Sequence, residues 1–303
     1  MVAGTNGIVV GVDESAGAAA ALRWAAREGD ARGWPVTAVL AWGSLDTHGG
    51  IVGERVDPSY GEPDALAALD EIVATVLGDK GDAIRRRAVS GLAASALLEA
   101  SEGADLLVVG ARGLGGFRRL LLGSVSTEVL HHAECAVAIV REVHHPREQP
   151  EHVVVGVDGS ATSRRALAWA LDTARLHGAT VEIVTAWTLA EPITRRMTGA
   201  GMSDAPLEDV ARWTIDTALD ASDTSGLPQP VTRTVAFGSP AAAVLEAGQR
   251  ADLIVLGSRG IGGFAALLLG SVSHHVAQHA TCPVVILPPE PEPSANASSS
   301  VER

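Results

Sequence analysis

Short apolar runs alternate with longer segments of mixed polarity along the first half of the chain. The runs show no regular alternation of polar residues, which is typical of strands buried on both faces of a sheet. They lie at residues 8–12 (IVVGV), 36–42 (VTAVLAW), 105–109 (DLLVV) and 136–140 (AVAIV), and another is predicted to end near Val89. The intervening segments predict helices over about 16–33, 62–77, 93–102 and 124–133. This alternation predicts a doubly wound parallel sheet.

The second half of the chain repeats the first. Residues 106–126 and 253–273 are identical at 15 of 21 positions at an offset of 147 residues, and VVVGVDGS at 153–160 matches IVVGVDES at 8–15 at an offset of 145. The repetition predicts two like domains, over 1–141 and 152–288. Residues 142–151 are polar, contain proline and are predicted to form a linker, and residues 289–303 have the composition of a disordered tail.

The composition narrows the class of protein. Hydrophobic residues make up 47% of the chain and aromatic residues only 3%, which favours helices packed on a sheet over an aromatic-rich β-sandwich. The formal net charge of −13 argues against binding of nucleic acids or anionic membranes. The N-terminus lacks signal-peptide features, no apolar run approaches the length of a membrane helix, and two cysteines are too few for a disulfide scaffold or metal cage. These features predict a cytoplasmic protein.

The strongest chemical signal is the segment GARGLGGFRRLLLGS at residues 110–124, directly after a predicted strand. Glycines let the backbone take positive φ angles and approach a ligand closely, and successive N–H groups in such a loop form an anion site. The loop leads into a helix beginning Ser124-Val125-Ser126, whose free N–H groups and positive dipole end favour phosphate. Since Arg112 adds positive charge, the segment is predicted to bind the phosphates of a nucleotide.

A structural interpretation competes with this one. Glycines after a strand often only make turns, and Ser124 could be only a helix cap. The second half retains all five glycines, Arg112 as Arg259, and both serines, which favours binding, although common ancestry alone could preserve them. Asp13 and Asp158, at the ends of the first strands, could be local caps, accept a ribose hydroxyl or hold Mg²⁺ through water. We favour the binding role for both.

The spacing Gly-x2-Gly-x9-Gly-Ser, together with VGVD in the first strand, occurs in both halves. It resembles the ATP-binding class of universal stress proteins, and the chain is similar to a tandem-domain member. The resemblance implies Rossmann-like domains of the adenine nucleotide alpha hydrolase type, each with five parallel strands in the order 3-2-1-4-5. It implies one ATP per domain, with or without Mg²⁺, and a pseudo-dimer formed within the chain through the last strands. A further homodimer is left open.

Transferred position by position, the resemblance assigns one nucleotide site to each half. The first comprises Gly11 and Asp13 beside the adenosine, Ala41 near the adenine, the phosphate loop Gly110, Ala111, Arg112, Gly113, Leu114, Gly115 and Gly116, and the helix start Gly123, Ser124, Val125 and Ser126. The second comprises Gly156, Asp158, Ala186, Gly257, Ser258, Arg259, Gly260, Ile261, Gly262, Gly263, Gly270, Ser271, Val272 and Ser273. Asp13 and Asp158 are the candidate Mg²⁺ ligands through water.

Signatures of ATP-consuming enzymes are missing from the sequence. There is no G-x-x-x-x-G-K-[ST] motif, no lysine in either loop and no kinase-like set. The histidines near the loops lie well past the phosphate-facing helix starts, so none is a credible general base: His131, His132, His274 and His275. The sequence therefore predicts a regulatory ATP-binding stress protein without catalytic residues. The alternatives are a slow ATP hydrolase or an adenylate or phosphate transferase, and a flavin- or electron-transfer module.

The two loops differ in charge. Arg118 and Arg119 of the first loop are replaced by Ala265 and Ala266 in the second. Because phosphate binding gains from positive charge, the first half is predicted to bind the nucleotide more tightly.

Overall fold

The computed structural model describes residues 7–43, 60–113, 121–142, 151–188, 207–261 and 269–290, and the backbone of two short strands between residues 51 and 56. The first half contains β1 Ile8–Gly11, α1 Ala16–Arg32, β2 Val36–Trp42, β3 Ile51–Val52, β4 Arg55–Val56, α2 Glu62–Leu77, a 3₁₀ helix Gly78–Ala83, β5 Arg85–Ser90, α3 Ala93–Ala100, β6 Leu106–Gly110, α4 Ser124–His132 and β7 Ala136–Val140. The described elements of the second half are β8 His152–Gly156, α5 Ala161–His177, β9 Thr180–Trp187, α6 Leu207–Asp220, β10 Thr232–Phe237, α7 Pro240–Gly248, β11 Leu253–Gly257, α8 Ser271–His279 and β12 Val284–Leu287.

The elements predicted for the first half are all present, with ends that differ by one or two residues. The short β3–β4 hairpin and the 3₁₀ helix were not predicted. The first helix of each half has the cap residues that the sequence favours. Ser15 and Ser160 are the N-caps of α1 and α5, and Gly33 ends α1 in the left-handed conformation.

Ten strands form one sheet in the order β10-β9-β8-β11-β12-β7-β6-β1-β2-β5. Within each half this is the implied order 3-2-1-4-5 with parallel neighbours. The halves meet where β7 pairs antiparallel with β12, with Ala138 opposite Val285. The winding reverses between β1 and β6, and again between β8 and β11. A crevice therefore opens at the carboxyl ends of these strands in each half.

The core lies on both faces of the sheet. Ile8 and Val10 of β1 pack on the face covered by α1, α2, α5 and α6, whereas Val9 packs on the face covered by α3, α4, α7 and α8. Burial on both faces explains why the strands read as continuous apolar runs. Within the described residues, no helix combines the length and apolar character needed to cross a membrane.

A buried charged network joins α1 of the first half to α5 of the second. Glu28 Oε1 lies 2.5 Å from Arg32 Nε, and its Oε2 lies 3.1 Å from His177 Nε2. Arg32 also donates to Thr173 Oγ1 at 2.8 Å, and its guanidinium lies 4.6 Å from the ring centroid of Trp169. Burial would raise the pKa of Glu28, but the hydrogen bond with His177 and the charge of Arg32 outweigh burial and hold this pKa below its ordinary value of 4.5.

Candidate functional site

An aspartate at the end of the first strand supports the crevice in each half. Asp13 Oδ1 accepts a hydrogen bond from the Ser15 N–H at 2.9 Å. In the second half, Asp158 Oδ1 accepts from the Ser160 N–H at 3.0 Å, and Oδ2 accepts from the Ile261 N–H at 2.9 Å. The Asp158 carboxylate therefore fastens the turn after β8 to the glycine loop.

The second glycine of each loop lies directly against this aspartate. A Cβ atom added at Gly113 would lie 2.6 Å from Asp13 Oδ2, and one added at Gly260 would be as crowded by Asp158. A residue with a side chain would push the loop away from the carboxylate. At these positions, therefore, the missing side chain lets the loop approach the protein's own aspartate, whereas the sequence suggested an approach to a ligand.

The first glycine of each loop lies against the start of a neighbouring helix. A Cβ atom added at Gly110 would lie 2.7 Å from the carbonyl carbon of Gly17 in α1, and one added at Gly257 would lie 2.6 Å from Thr162 Oγ1 in α5. Thr162 also donates a hydrogen bond to the carbonyl oxygen of Arg259. These contacts hold the loop against the first helix of its half.

Glycine allows positive φ angles, but the loop glycines that the structure describes do not use them. None of Gly110, Gly113, Gly257 and Gly260 has a positive φ. These positions need glycine because a side chain would collide with α1, α5 or the aspartate, and a left-handed turn is not the reason.

The helix starts at the two crevices have no side-chain cap. Gly123 and Gly270 are the N-cap residues of α4 and α8, and no side chain among the described residues accepts a hydrogen bond from the first turns there. By contrast, the hydroxyls of Ser15 and Ser160 cap α1 and α5. Within the part of the chain that the structure describes, the first N–H groups of α4 and α8 are thus left for an anion.

Two serines predicted to contact phosphate also hold these helix starts in place. Ser126 Oγ donates to the Gly110 carbonyl at 2.7 Å, and Ser273 Oγ donates to the Gly257 carbonyl at 2.6 Å. Both serines are buried. Their hydroxyls are engaged by strand ends β6 and β11, so their contribution to an anion site is the backbone N–H.

The other described residues of the predicted sites surround the same crevices. Those that are exposed or half-buried are Arg112, Ser124, Val125, Arg259, Ser271 and Val272, whereas Ala111 and Ser258 are buried. Ala41 and Ala186 are half-buried near the carboxyl ends of β2 and β9. A Cβ atom at Gly11 would lie 2.8 Å from Leu97 of α3, and Gly156 lies against Leu256 in the same way.

Several predicted positions fall outside the described residues. They are Leu114, Gly115, Gly116, Gly262 and Gly263, the loop substitutions Arg118, Arg119, Ala265 and Ala266, linker residues 143–150 and tail residues 291–303. Their assignments stay predictions.

The described residues contain no group of three or more His, Cys, Asp or Glu side chains that could hold a metal ion. Both carboxylate oxygens of Asp158 already accept backbone hydrogen bonds. A contact of Asp13 or Asp158 with Mg²⁺ through water stays a prediction.

His131, His132 and Cys135 lie at or just beyond the C-terminal end of α4, and Cys282 lies just beyond that of α8. His274, however, is the fourth residue of α8, so the expectation that it lies well past the helix start is wrong. Burial raises the pKa of the Cys135 thiol to about 11 and that of Cys282 to about 12, which makes both poor nucleophiles near neutral pH. The rings of His131 and His274 meet across the two halves with centroids 6.1 Å apart. Burial, followed by the nearby charges of His274 and His132, lowers the pKa of His131.

Comparison with known proteins agrees with this architecture. A model of the universal stress protein family matches residues 5–141 and 150–288. A universal stress protein of Mycolicibacterium smegmatis is 33% identical over 93% of this chain and 97% of its own length, and one of Mycobacterium tuberculosis is 32% identical over 92% and 95%. The crystal structure of a universal stress protein from Archaeoglobus fulgidus superimposes with a TM-score of 0.64 at 20% identity, covering 94% of this chain and 98% of that one. The structural likeness concerns the fold alone.

Proposed function

Because the chain belongs to the universal stress protein family, we propose that it is a regulatory member that binds one ATP in each half. The observation that carries this proposal is the pair of glycine-capped helix starts, α4 and α8, each beside a glycine loop that lies against an aspartate at the point where the winding reverses. Uncapped N–H groups, the positive end of the helix dipole and a loop arginine form a favourable environment for phosphates.

The residues around each crevice suggest how a nucleotide would be held. The N–H groups of α4 or α8 and the side chains of Arg112 or Arg259 would bind the phosphates. The backbone near Ala41 or Ala186 would hold the adenine. Asp13 and Asp158 would stand on the ribose side, and the hydrogen bond from the Ile261 N–H shows that Asp158 also braces its loop. Any Mg²⁺ would rest mainly on the phosphates, since the described residues offer no metal-binding cluster.

The proposed role is binding without turnover. The hydroxyls, backbone N–H groups and arginines at the helix starts bind phosphate without activating water. ATP would therefore act as a ligand that sets conformation or partner choice. We further propose that the protein works in the cytoplasm as two domains, 1–141 and 152–288, paired within one chain.

The proposal is tested by identifying the ligand that the purified protein carries. Heat-extracted protein is analysed by mass spectrometry and then incubated with ATP for several hours. We expect adenine nucleotide in the extract and ATP that stays intact. Steady release of ADP or AMP would favour a hydrolase or transferase, a yellow extract would favour a flavin module, and failure to bind ATP would refute the proposal.

A further inference from the structure

Arg141 follows the last strand of the first half and reaches the second half. Its Nη2 atom donates to the carbonyl oxygens of Ala277 and Gln278, each at 2.6 Å, and Nη1 donates to the Leu121 carbonyl at 3.1 Å. Ala277 and Gln278 lie in the last turn of α8, where carbonyl groups lack helical partners and the helix dipole is negative. The guanidinium group therefore caps the C-terminal end of α8.

The matching end of α4 in the first half has no such cap, because the second half lacks a matching arginine. At the offset of 147 residues, Arg141 corresponds to Pro288, and the α8 carbonyls that it binds correspond to those of Leu130 and His131 in α4. A cleft of about 420 Å³ lies at this position, lined by Leu130, His131 and Pro288. Among the described residues, no donor reaches the carbonyl oxygens of Leu130 or His131.

A buried hydroxyl at the same cleft also lacks a partner. Ser258 lines the cleft and is only 4% exposed, and no hydrogen-bond partner for its Oγ atom is found among the described residues. The residue at the matching position of the first half is Ala111. Because a buried hydroxyl without a partner is destabilising, its presence here indicates a ligand group that binds it.

The charge around the cleft suits a cation. Glu134 and Glu290 line it together with the negative end of α4, and Arg259 contributes one positive charge. The first half shows that a guanidinium is tolerated beside the loop arginine. There, burial and the charge of Arg112 lower the pKa of Arg141, yet Arg141 still makes its three hydrogen bonds.

We propose that this cleft binds a small organic cation carrying a guanidinium group, which takes at the end of α4 the place that Arg141 fills at the end of α8. The N–H groups of the ligand donate to the carbonyls of Leu130 and His131 and to Ser258 Oγ. Glu134 and Glu290 balance its charge. A short alkyl stem fits the apolar side of the cleft beside Pro288.

The test is a calorimetric titration of the full chain with ethylguanidinium at constant ionic strength. Tetramethylammonium, which has no N–H donors, is the control cation. We expect saturable binding of one ethylguanidinium per chain and no binding of tetramethylammonium. The absence of saturable binding, or equal binding of both cations, would overturn the proposal.

Three variants locate the site. Pro288→Arg supplies the guanidinium from the chain itself and should weaken binding at least about tenfold, as expected when hydrogen bonds to a charged group are lost. Arg141→Ala opens the matching space at the end of α8, but Ala111 there has no hydroxyl and Thr281 replaces Glu134, so the stoichiometry should stay at one with unchanged affinity. If either variant fails to fold, Ser258→Ala provides the check, with binding weakened several-fold. Unchanged binding in the folded Pro288→Arg or Ser258→Ala protein would contradict the assignment.

Discussion

The two halves are nearly identical where a nucleotide is proposed to bind and unlike where helix α1 of one contacts helix α5 of the other. Segments 106–126 and 253–273 share 15 of 21 residues, and the serine that anchors α4 to β6 has a counterpart that anchors α8 to β11. At the contact between α1 and α5, however, Glu28 corresponds to Thr173 and Arg32 corresponds to His177.

The difference follows from joining two domains in one chain. A symmetric dimer presents the same residue on both sides of its axis, so any change occurs twice. Here each half always has the same, non-identical partner. One carboxylate, Glu28, therefore serves both Arg32 and His177. The proposed sites remain alike while the interface has become specific for this pair of domains.

Removal of Glu28 is expected to have the largest effect on stability. Glu28→Ala leaves the buried Arg32 side chain, 10% exposed, without its carboxylate, and we expect a loss of about 3 kcal/mol in the free energy of unfolding. Urea denaturation at pH 7 measures the change. The exposed pair Arg212–Glu208 is the control, with side chains 60% and 46% exposed, and Glu208→Ala should cost less than about 1 kcal/mol. Equal losses in the two variants would show that the buried network stabilises the protein no more than an exposed ion pair does.

The same network predicts a pH dependence. The pKa of Glu28 is lower in the folded protein than its ordinary value of 4.5. The contribution of its ionisation is therefore fully present above pH 4.5 and is lost as the pH falls through the folded-state value. The stability difference between the native protein and Glu28→Gln should narrow as the pH is lowered through 4.5 and below. A difference that stays constant over this range would contradict the assignment.

The loop glycines are expected to show an intermediate effect. Gly257→Ala places a Cβ atom 2.6 Å from Thr162 Oγ1, and such overpacking should cost about 1–3 kcal/mol. Gly123→Ser is the matched control, because φ there is −76° and the nearest atom to a Cβ is 3.5 Å away. It should change the stability by less than about 0.5 kcal/mol. Thermal denaturation measures both variants. A loss of stability in Gly257→Ala alone would indicate close packing at that position, whereas similar losses in both would indicate that the loops need glycine in general.

The cysteines should show the smallest effect. With pKa values of about 11 for Cys135 and about 12 for Cys282, only about one thiol in a thousand or fewer is ionised at pH 8. Each should react slowly with a thiol reagent, and the more deeply buried Cys282 more slowly than Cys135. Single-cysteine variants Cys135→Ser and Cys282→Ser separate the two rates. Rapid reaction of either thiol would indicate that its helix end opens readily.

The elements of the fold follow from the sequence more directly than the contacts do. Apolar runs and cap residues such as Ser15 and Gly33 define the strands and helices, because burial and capping are local requirements. Strand order needed the resemblance, since the apolar runs alone do not specify which strands are neighbours. The roles of Gly110 and Ser126 could not be separated in advance, because ligand binding and close packing require the same residue types. Sequence analysis did not find the contacts of Arg141, which lie across the two halves.

The most direct test of the central claim is the ATP stoichiometry of Gly123→Asp. Aspartate is a favourable N-cap residue, and its Cβ atom would meet no atom of the described residues closer than 3.5 Å. Its carboxylate would occupy the anion position and repel phosphate, so α4 should become more stable while its nucleotide is lost. Gly123→Ala adds the same Cβ atom without the acceptor and is the control.

Equilibrium dialysis with ATP should give two sites in the native protein and in Gly123→Ala, and one site in Gly123→Asp. The remaining site should be the weaker one, because the second loop lacks the extra arginines of the first. Two sites of unchanged affinity in folded Gly123→Asp would show that the start of α4 does not bind the nucleotide, and the account would be wrong.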